Sequence, residues 1–258
     1  MISLSQIEQY YPPQLRQFKR NILREYLQYK ILEIIFNSKL AAKLSFLGGT
    51  ALRIVHDNTR FSEDLDFDNF KLTEKEFIQL TGEIQKGLKL EGYDVEIRNV
   101  LKRAFRCYIR LPQVLYDSSV SNLKQEKILI QVDTEPHHYA YQPDKVFINK
   151  FDIFTKISVT PPDILLAQKI YALLGRKRAK GRDFYDVIFL LKKTKPNYGY
   201  LEQKVGIADK KQLKNKLISY SKNLKLKELA KDVEPFLFQP SDSKKITLFT
   251  EYIKQVEL

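Results

Sequence analysis

Residues 46–67, FLGGTALRIVHDNTRFSEDLDF, constrain the fold more tightly than any other stretch of the chain. An apolar run stops at Gly48-Gly49, and TALRIVHD then takes up helical spacing behind Thr50. This predicts a short strand, a glycine turn and a helix capped by Thr50. LDFDNF alternates acidic and apolar residues. A strand there puts Leu65 and Phe67 on one face and Asp64, Asp66 and Asp68 on the other. Carboxylates at i and i+2 on one strand face repel, because each like charge disfavours ionisation of its neighbour. A divalent cation between them reverses the sign. Hard oxygen ligands suit Mg2+ (or Mn2+), which keeps some waters and takes further ligands from substrate phosphates.

The glycine turn fits the same chemistry. Glycines allow close backbone approach, and the helix that follows offers amide donors to an anion. Gly48, Gly49 and Thr50 are therefore candidates for cradling a nucleoside triphosphate, and Arg60 and Ser62 for meeting its phosphate oxygens. Two solvated aspartates on an exposed strand edge are the alternative reading of the acidic triplet alone.

Around this core the chain reads as alternating elements. Leu15, Phe18, Ile22, Tyr26 and Leu32 recur near helical spacing, predicting an amphipathic helix over 14–37. TEKEF at 73–77 is a Thr cap with early glutamates and predicts a helix over 73–91. Strands are predicted over 93–100, 104–111 and 127–133, the first two as a hairpin. Cys107 falls inside a strand as a small buried residue and can form no internal disulfide. Beyond residue 160 the strand signals fade, and helices are predicted over TPPDILLAQKIYALLGR, GRDFYDVIFLLKK, 208–223, 225–231 and 242–256. The fold class is thus α+β: a domain over 1–160 with a mixed sheet, and a mainly helical domain over 161–258, giving a bilobed molecule.

Charge separates the two parts. Residues 161–258 carry 21 Lys/Arg against 11 Asp/Glu, whereas residues 1–160 carry 23 against 20. A basic C-terminal region predicts a polyanionic partner, with Lys210, Lys211, Lys214, Lys216, Lys222, Lys225 and Lys227 as a phosphate track. A lysine-rich solvated helical surface is the alternative. No apolar run is long enough to span a bilayer, and MISLSQIEQYYPP lacks the basic flank and apolar core of a signal peptide. A cytoplasmic location is the expectation. His56 and the adjacent His137-His138 receive no role, because neighbouring histidines point apart and make no metal site alone.

The string LGGTALRI…TRFSEDLDF resembles the first motif of the polymerase-β-like nucleotidyltransferases, Gly-Gly/Ser followed by acid-x-acid. More narrowly it resembles the AbiEii/AbiGii-type toxin nucleotidyltransferases of abortive-infection and type IV toxin–antitoxin systems. The long gap between Gly49 and Asp64 is similar to that branch. PPDILLAQKIYALLGRKRAKGRDFYDVIFLL is similar to the family's later motifs, an A-x-K-[IV]-x-A-L helix and then [RK]-D-x-x-D-[LV]. The resemblance spans most of 40–192.

The resemblance implies more than the residues alone do. It implies a third metal carboxylate from a later strand, Asp133, with Glu135 as the fallback. It implies that Lys169 serves the triphosphate or the transition-state charge. It implies that an acid of the later motif, most simply Asp183 rather than Asp186, is needed for activity, by orienting Lys169 or Arg182 or by helping to deprotonate the attacking hydroxyl. Asp64, Asp66, Lys169 and Asp183 are then the catalytic set, and Asp64, Asp66 and Asp133 the metal set. The implied reaction is Mg2+-dependent transfer from an NTP to the 3′ end of tRNA, which blocks translation. A neighbouring antitoxin is also implied. Transfer to a protein or small molecule, and nucleotide or RNA binding without turnover, are the competing functions. The carboxylate pair and Lys169 argue against the last.

Overall fold

The structure of the protein, a computed structural model, describes residues 2–102 and 104–258. It resolves into two compact units, one running to His56 and again over Phe61–Thr160, the other comprising Asp57–Arg60 and Pro161–Leu258.

In the first unit the elements run α1 (Leu4–Glu8), α2 (Lys19–Asn37), β1 (Leu44–Leu47), α3 (Gly48–His56), β2 (Leu65–Asn69), α4 (Glu74–Leu90), β3 (Glu96–Leu101), β4 (Phe105–Pro112), α5 (Val114–Asp117), β5 (Lys127–Glu135), β6 (Asp144–Lys150) and β7 (Ile153–Val159). The described strands form a seven-stranded sheet in the order β3-β4-β5-β2-β1-β7-β6. The pairs β2/β5 and β1/β7 are parallel and the others antiparallel. Alternation decides which face is buried. Leu65 and Phe67 of β2, and Ile128, Ile130 and Val132 of β5, turn inward. The helices α2 and α4 pack on the sheet and on each other. α4 starts at a capping box, in which Thr73 and Glu76 satisfy each other's backbone amides.

A buried charge network ties α2 to the glycine-turn helix. Glu25 of α2, only 3% exposed, accepts from Arg53 of α3 at 2.8 Å, from Lys150 of β6 at 2.8 Å and from the Tyr11 hydroxyl at 2.8 Å. Burial pushes the Glu25 pKa up, but the Arg53 and Lys150 charges outweigh it and hold the carboxyl below its ordinary range.

The hairpin β6–β7 is absent from the sequence-based expectations. Its turn, Phe151-Asp152, lacks the Gly or Asn signature of a tight hairpin. Phe151 nevertheless holds φ 61°. Its ring packs with Tyr10, Tyr26 and Tyr29 at centroid distances of 4.9, 5.3 and 5.3 Å, which offsets the left-handed backbone.

In the second unit the helices are α6 (Pro162–Gly175), α7 (Gly181–Leu191), α8 (Tyr198–Val205), α9 (Lys210–Lys222), α10 (Leu226–Val233), α11 (Lys244–Thr247) and α12 (Phe249–Gln255). α8, absent from the expectations, is capped by Asn197 and stopped by Gly206 at φ 69°. α6 has Pro161 as its N-cap, with no side-chain cap from Thr160. Phe184 of α7 packs edge-on against Phe249 of α12 at 4.8 Å. A Cβ on Gly181 would overlap the Leu229 carbonyl oxygen, so only glycine lets α7 start this close to α10. No described helix is long and apolar enough to cross a membrane.

Candidate active site

The strand β1 ends in a turn whose shape is set by one glycine. Gly48 sits at φ 81°, and a Cβ there would overlap Asp66 Oδ2 and stand 2.9 Å from Asp66 Cβ and Cγ. Gly48 is therefore the residue that lets the Asp66 carboxylate lie against the start of α3. The helix begins at Gly48, two residues before the expected cap. Thr50 is fully buried inside the first turn and donates its hydroxyl to the Asp64 carbonyl. It is thus not the helix cap, and its one hydroxyl proton is committed to the chain that carries Asp64.

A second residue holds the same chain from the other side. Gln28 of α2, 1% exposed, donates Nε2 to the carbonyls of Ser62 and Glu63 at 3.1 and 2.9 Å. Arg24 adds an ion pair to Glu63 at 3.1 Å. Asp64 precedes the ladder of β2, so its position depends on these anchors and not on sheet hydrogen bonds. Ser62 is half-buried beside it.

The parallel pairing of β2 and β5 places Asp66 opposite Asp133, and Asp68 opposite Glu135. Paired residues of neighbouring strands share a face, with the strands about 4.8 Å apart, which sets two like charges close together. Asp133 Oδ2 accepts from Gln131 at 2.7 Å and lies 3.5 Å from Arg106 Nε. Asp133 Oδ1 is buried with no hydrogen-bond partner. Burial raises the Asp133 pKa, against the lowering effect of Gln131 and Arg106. A buried carboxylate oxygen without a donor costs free energy unless something else meets it. The donor set, hard oxygens beside a glycine-walled recess, fits a hard divalent cation. Among the described residues no group of three or more His, Cys, Asp or Glu is drawn together tightly enough to count as a preformed metal cluster.

Asp68 leaves this set. It is 1% exposed and accepts from the His137 amide and the Tyr141 hydroxyl, each at 2.9 Å. Tyr141 also bonds Thr160, which bonds Ser45. Both Asp68 oxygens are satisfied by the fold, so this acid is structural.

In the second unit the charge is arranged differently. Asp186 of α7, fully buried, receives Arg60 through two contacts of 2.7 Å, Lys169 of α6 at 2.8 Å and Asn58 at 3.0 Å. Burial alone would raise its pKa, but Arg60 and Lys169 hold it at about 2. Arg60, expected to meet phosphate, is 2% exposed with its guanidinium fork spent on Asp186. Residues 57–60 belong to this unit: Thr59 pairs with Tyr185 at 2.8 Å, and Phe238 donates its amide to the Thr59 carbonyl. That explains the long gap between Gly49 and Asp64. Lys169 pairs with Asp186, not with Asp183. Asp183 Oδ2 instead lies 2.8 Å from Arg176 Nε, out of line for a hydrogen bond. The Arg182 guanidinium stacks over Phe236 at 4.8 Å. Beside it is a pocket of about 560 Å3 whose charged lining is Arg178, Lys180, Arg182, Lys225, Glu228 and Asp232.

The sequence profile of the nucleotidyl transferase AbiEii toxin, a type IV toxin–antitoxin component, matches residues 30–249. The chain belongs to the AbiEii nucleotidyltransferase toxin family. Two solved structures share its fold. JHP933 from Helicobacter pylori is 18% identical with a TM-score of 0.56, covering 89% of this chain and 90% of its own. A second Helicobacter pylori chain, named as a candidate nucleotidyltransferase, is 18% identical with a TM-score of 0.57, covering 91% of this chain and 94% of its own. No curated protein matches the sequence.

This AbiEii-family chain is therefore a nucleotidyltransferase toxin, and its family implies an NTP substrate and a cognate antitoxin. The structure brings Gly48, Asp66 and Asp133 together in one unit and Lys169, Asp186 and Arg60 in the other. Sequence reasoning missed Gln28. Its only signal was a glutamine inside the apolar helix stretch REYLQYKILEII. Spacing on the helix does not say which acid faces which cation; in the fold Asp186, not Asp183, meets Lys169.

Proposed function

We propose that the chain transfers nucleotides from an NTP to the 3′ end of an RNA, tRNA being the acceptor the family resemblance favours, and so blocks translation. The observation that carries the reading is Asp133 opposite Asp66 with a buried, unpartnered Oδ1. Asp64, Asp66 and Asp133 would hold Mg2+ or Mn2+, which when bound neutralises charge on the transferring phosphoryl group and favours the acceptor alkoxide. The chain's own part is positional. Gly48 and Gly49 leave room for phosphate at the start of α3. Thr50 and Gln28 hold the backbone of residues 62–64, and so fix Asp64. Lys169, which pairs with Asp186 in the fold, is assigned to the triphosphate or the transition-state charge on the resemblance alone. Asp183, in the later motif, is assigned to activity on the resemblance alone, and Ser62 to the nucleotide. The net positive charge of residues 161–258 supports a polyanionic acceptor.

The test is incubation of the purified chain with labelled NTPs, Mg2+ and total tRNA. Label should move to RNA in the wild type and vanish in Asp66→Ala. Label on protein or a small molecule, with none on RNA, would sink the RNA reading.

A further inference from the structure

The outward face of the β6–β7 hairpin carries side chains that neither the carboxylate site nor the Asp186 cluster uses. Antiparallel register pairs Lys145 with Ser158, Phe147 with Lys156 and Asn149 with Phe154. Phe147 is 61% exposed and Phe154 64%. Their rings lie stacked, centroids 5.2 Å apart and planes 11° from parallel. Lys156 Nζ stands 5.7 Å from the Phe147 centroid. None of the six residues is acidic. The opposite face of the hairpin does the core packing, through Ile148, Ile153 and Ile157.

This face is also the one that carries the carboxylates. Phe67, Phe46 and Val159 are in register across β2, β1 and β7, and so point one way. Alternation then turns Asp66, Ser158, Lys156 and Phe154 the other way. Counting residues and strands from that register puts Lys156 and Phe154 about 15–25 Å from Asp66 on the same side of the sheet.

Two flat apolar rings left in water are costly, and here lysines and no acid share their six in-register positions. That combination suits nucleobases, which stack on aromatic faces, and phosphates, which the lysines attract. A protein partner selected by apolar contact alone has no use for the two lysines. We propose that the β6–β7 face is a stacking platform for single-stranded RNA, holding the acceptor strand at a distance from Asp66 and Asp133. Phe154 and Phe147 take bases, and Lys156 takes phosphate, with Lys145 beside it bonded to Ser158. The proposal rests on the RNA-acceptor reading above.

The experiment uses the full chain and a fluorescein-labelled, unstructured single-stranded RNA, with binding read by anisotropy and label transfer measured in parallel. Phe154→Ala should weaken binding by between about fivefold and about a hundredfold, while Phe154→Tyr keeps most of the affinity. Lys156→Gln should make the salt dependence of binding shallower. Melting temperatures should stay close to wild type, since both rings are exposed. If Phe154→Ala binds RNA as tightly as the wild type, and the wild type labels RNA, the platform is refuted and the acceptor reading stands. If the wild type neither binds nor labels RNA, both fail together. If Phe154→Ala changes only the sedimentation of the protein, the face is a contact between copies and the platform is refuted.

Discussion

Two groups of carboxylates, one in each unit, are solved by opposite means. On the sheet of the first unit, Asp66 and Asp133 stand opposite one another, and one buried oxygen of Asp133 has no partner. In the second unit, Asp186 is deeper still, yet every approach to it is filled by Arg60, Lys169 and Asn58. The first arrangement leaves a carboxylate oxygen unmet. In the second, both Asp186 oxygens find donors within the fold. Burial alone therefore does not separate the two; what differs is how each carboxylate's oxygens are met.

The contrast can be broken at either end. The largest effect should come from Asp66→Ala, which removes a proposed metal ligand; transfer should fall on the order of a thousandfold or more, with the melting temperature kept. A large loss of stability instead would place Asp66 among the structural acids. Asp186→Ala should do the reverse. It strands buried Arg60 without a counter-ion, so urea unfolding should show a loss of about 3–5 kcal/mol. Stability within about 1 kcal/mol of wild type would mean that the cluster contributes little to the fold.

Gly48→Ala adds a methyl group where Asp66 already lies, at a φ that disfavours any side chain. A cost of about 1–3 kcal/mol is expected, together with a fall in turnover as Asp66 is displaced. Gln28→Ala should be milder, about 1 kcal/mol from two lost hydrogen bonds to backbone carbonyls, with the activity loss seen in turnover more than in NTP affinity.

A pH titration sharpens the second half of the contrast. The folded pKa of Asp186 is about 2, below an unfolded value of about 3.9. Its contribution is fully present above pH 4 and is lost as pH falls through about 2. The stability gap between wild type and Asp186→Asn should therefore narrow over that range. A gap that stays constant down to pH 2 would show that the carboxylate's charge is not what stabilises the cluster.

Legibility in the sequence followed the range of the interactions. The Leu65/Phe67 alternation and the Gly48-Gly49 break are local patterns, and β1, α3 and β2 follow from them to within a few residues. The hairpin β6–β7 did not, because its turn is stabilised by Tyr10, Tyr26 and Tyr29, more than a hundred residues earlier in the chain. Thr50 and Arg60 are candidates for phosphate by their place beside the motif, and the sequence does not show the partners the fold gives them, the Asp64 carbonyl and Asp186.

The sequence by itself determined which face of β2 would be acidic and where a glycine would be needed, because strand alternation and backbone freedom are properties of adjacent residues. Tertiary structure decided what each charge would meet. Asp133 faces Asp66 from another strand, Gln28 reaches a loop 34 residues away, and Arg60 finds Asp186 across 126. A carboxylate's chemistry depends on its donors and counter-charges, and those are set by which distant residues the fold brings beside it.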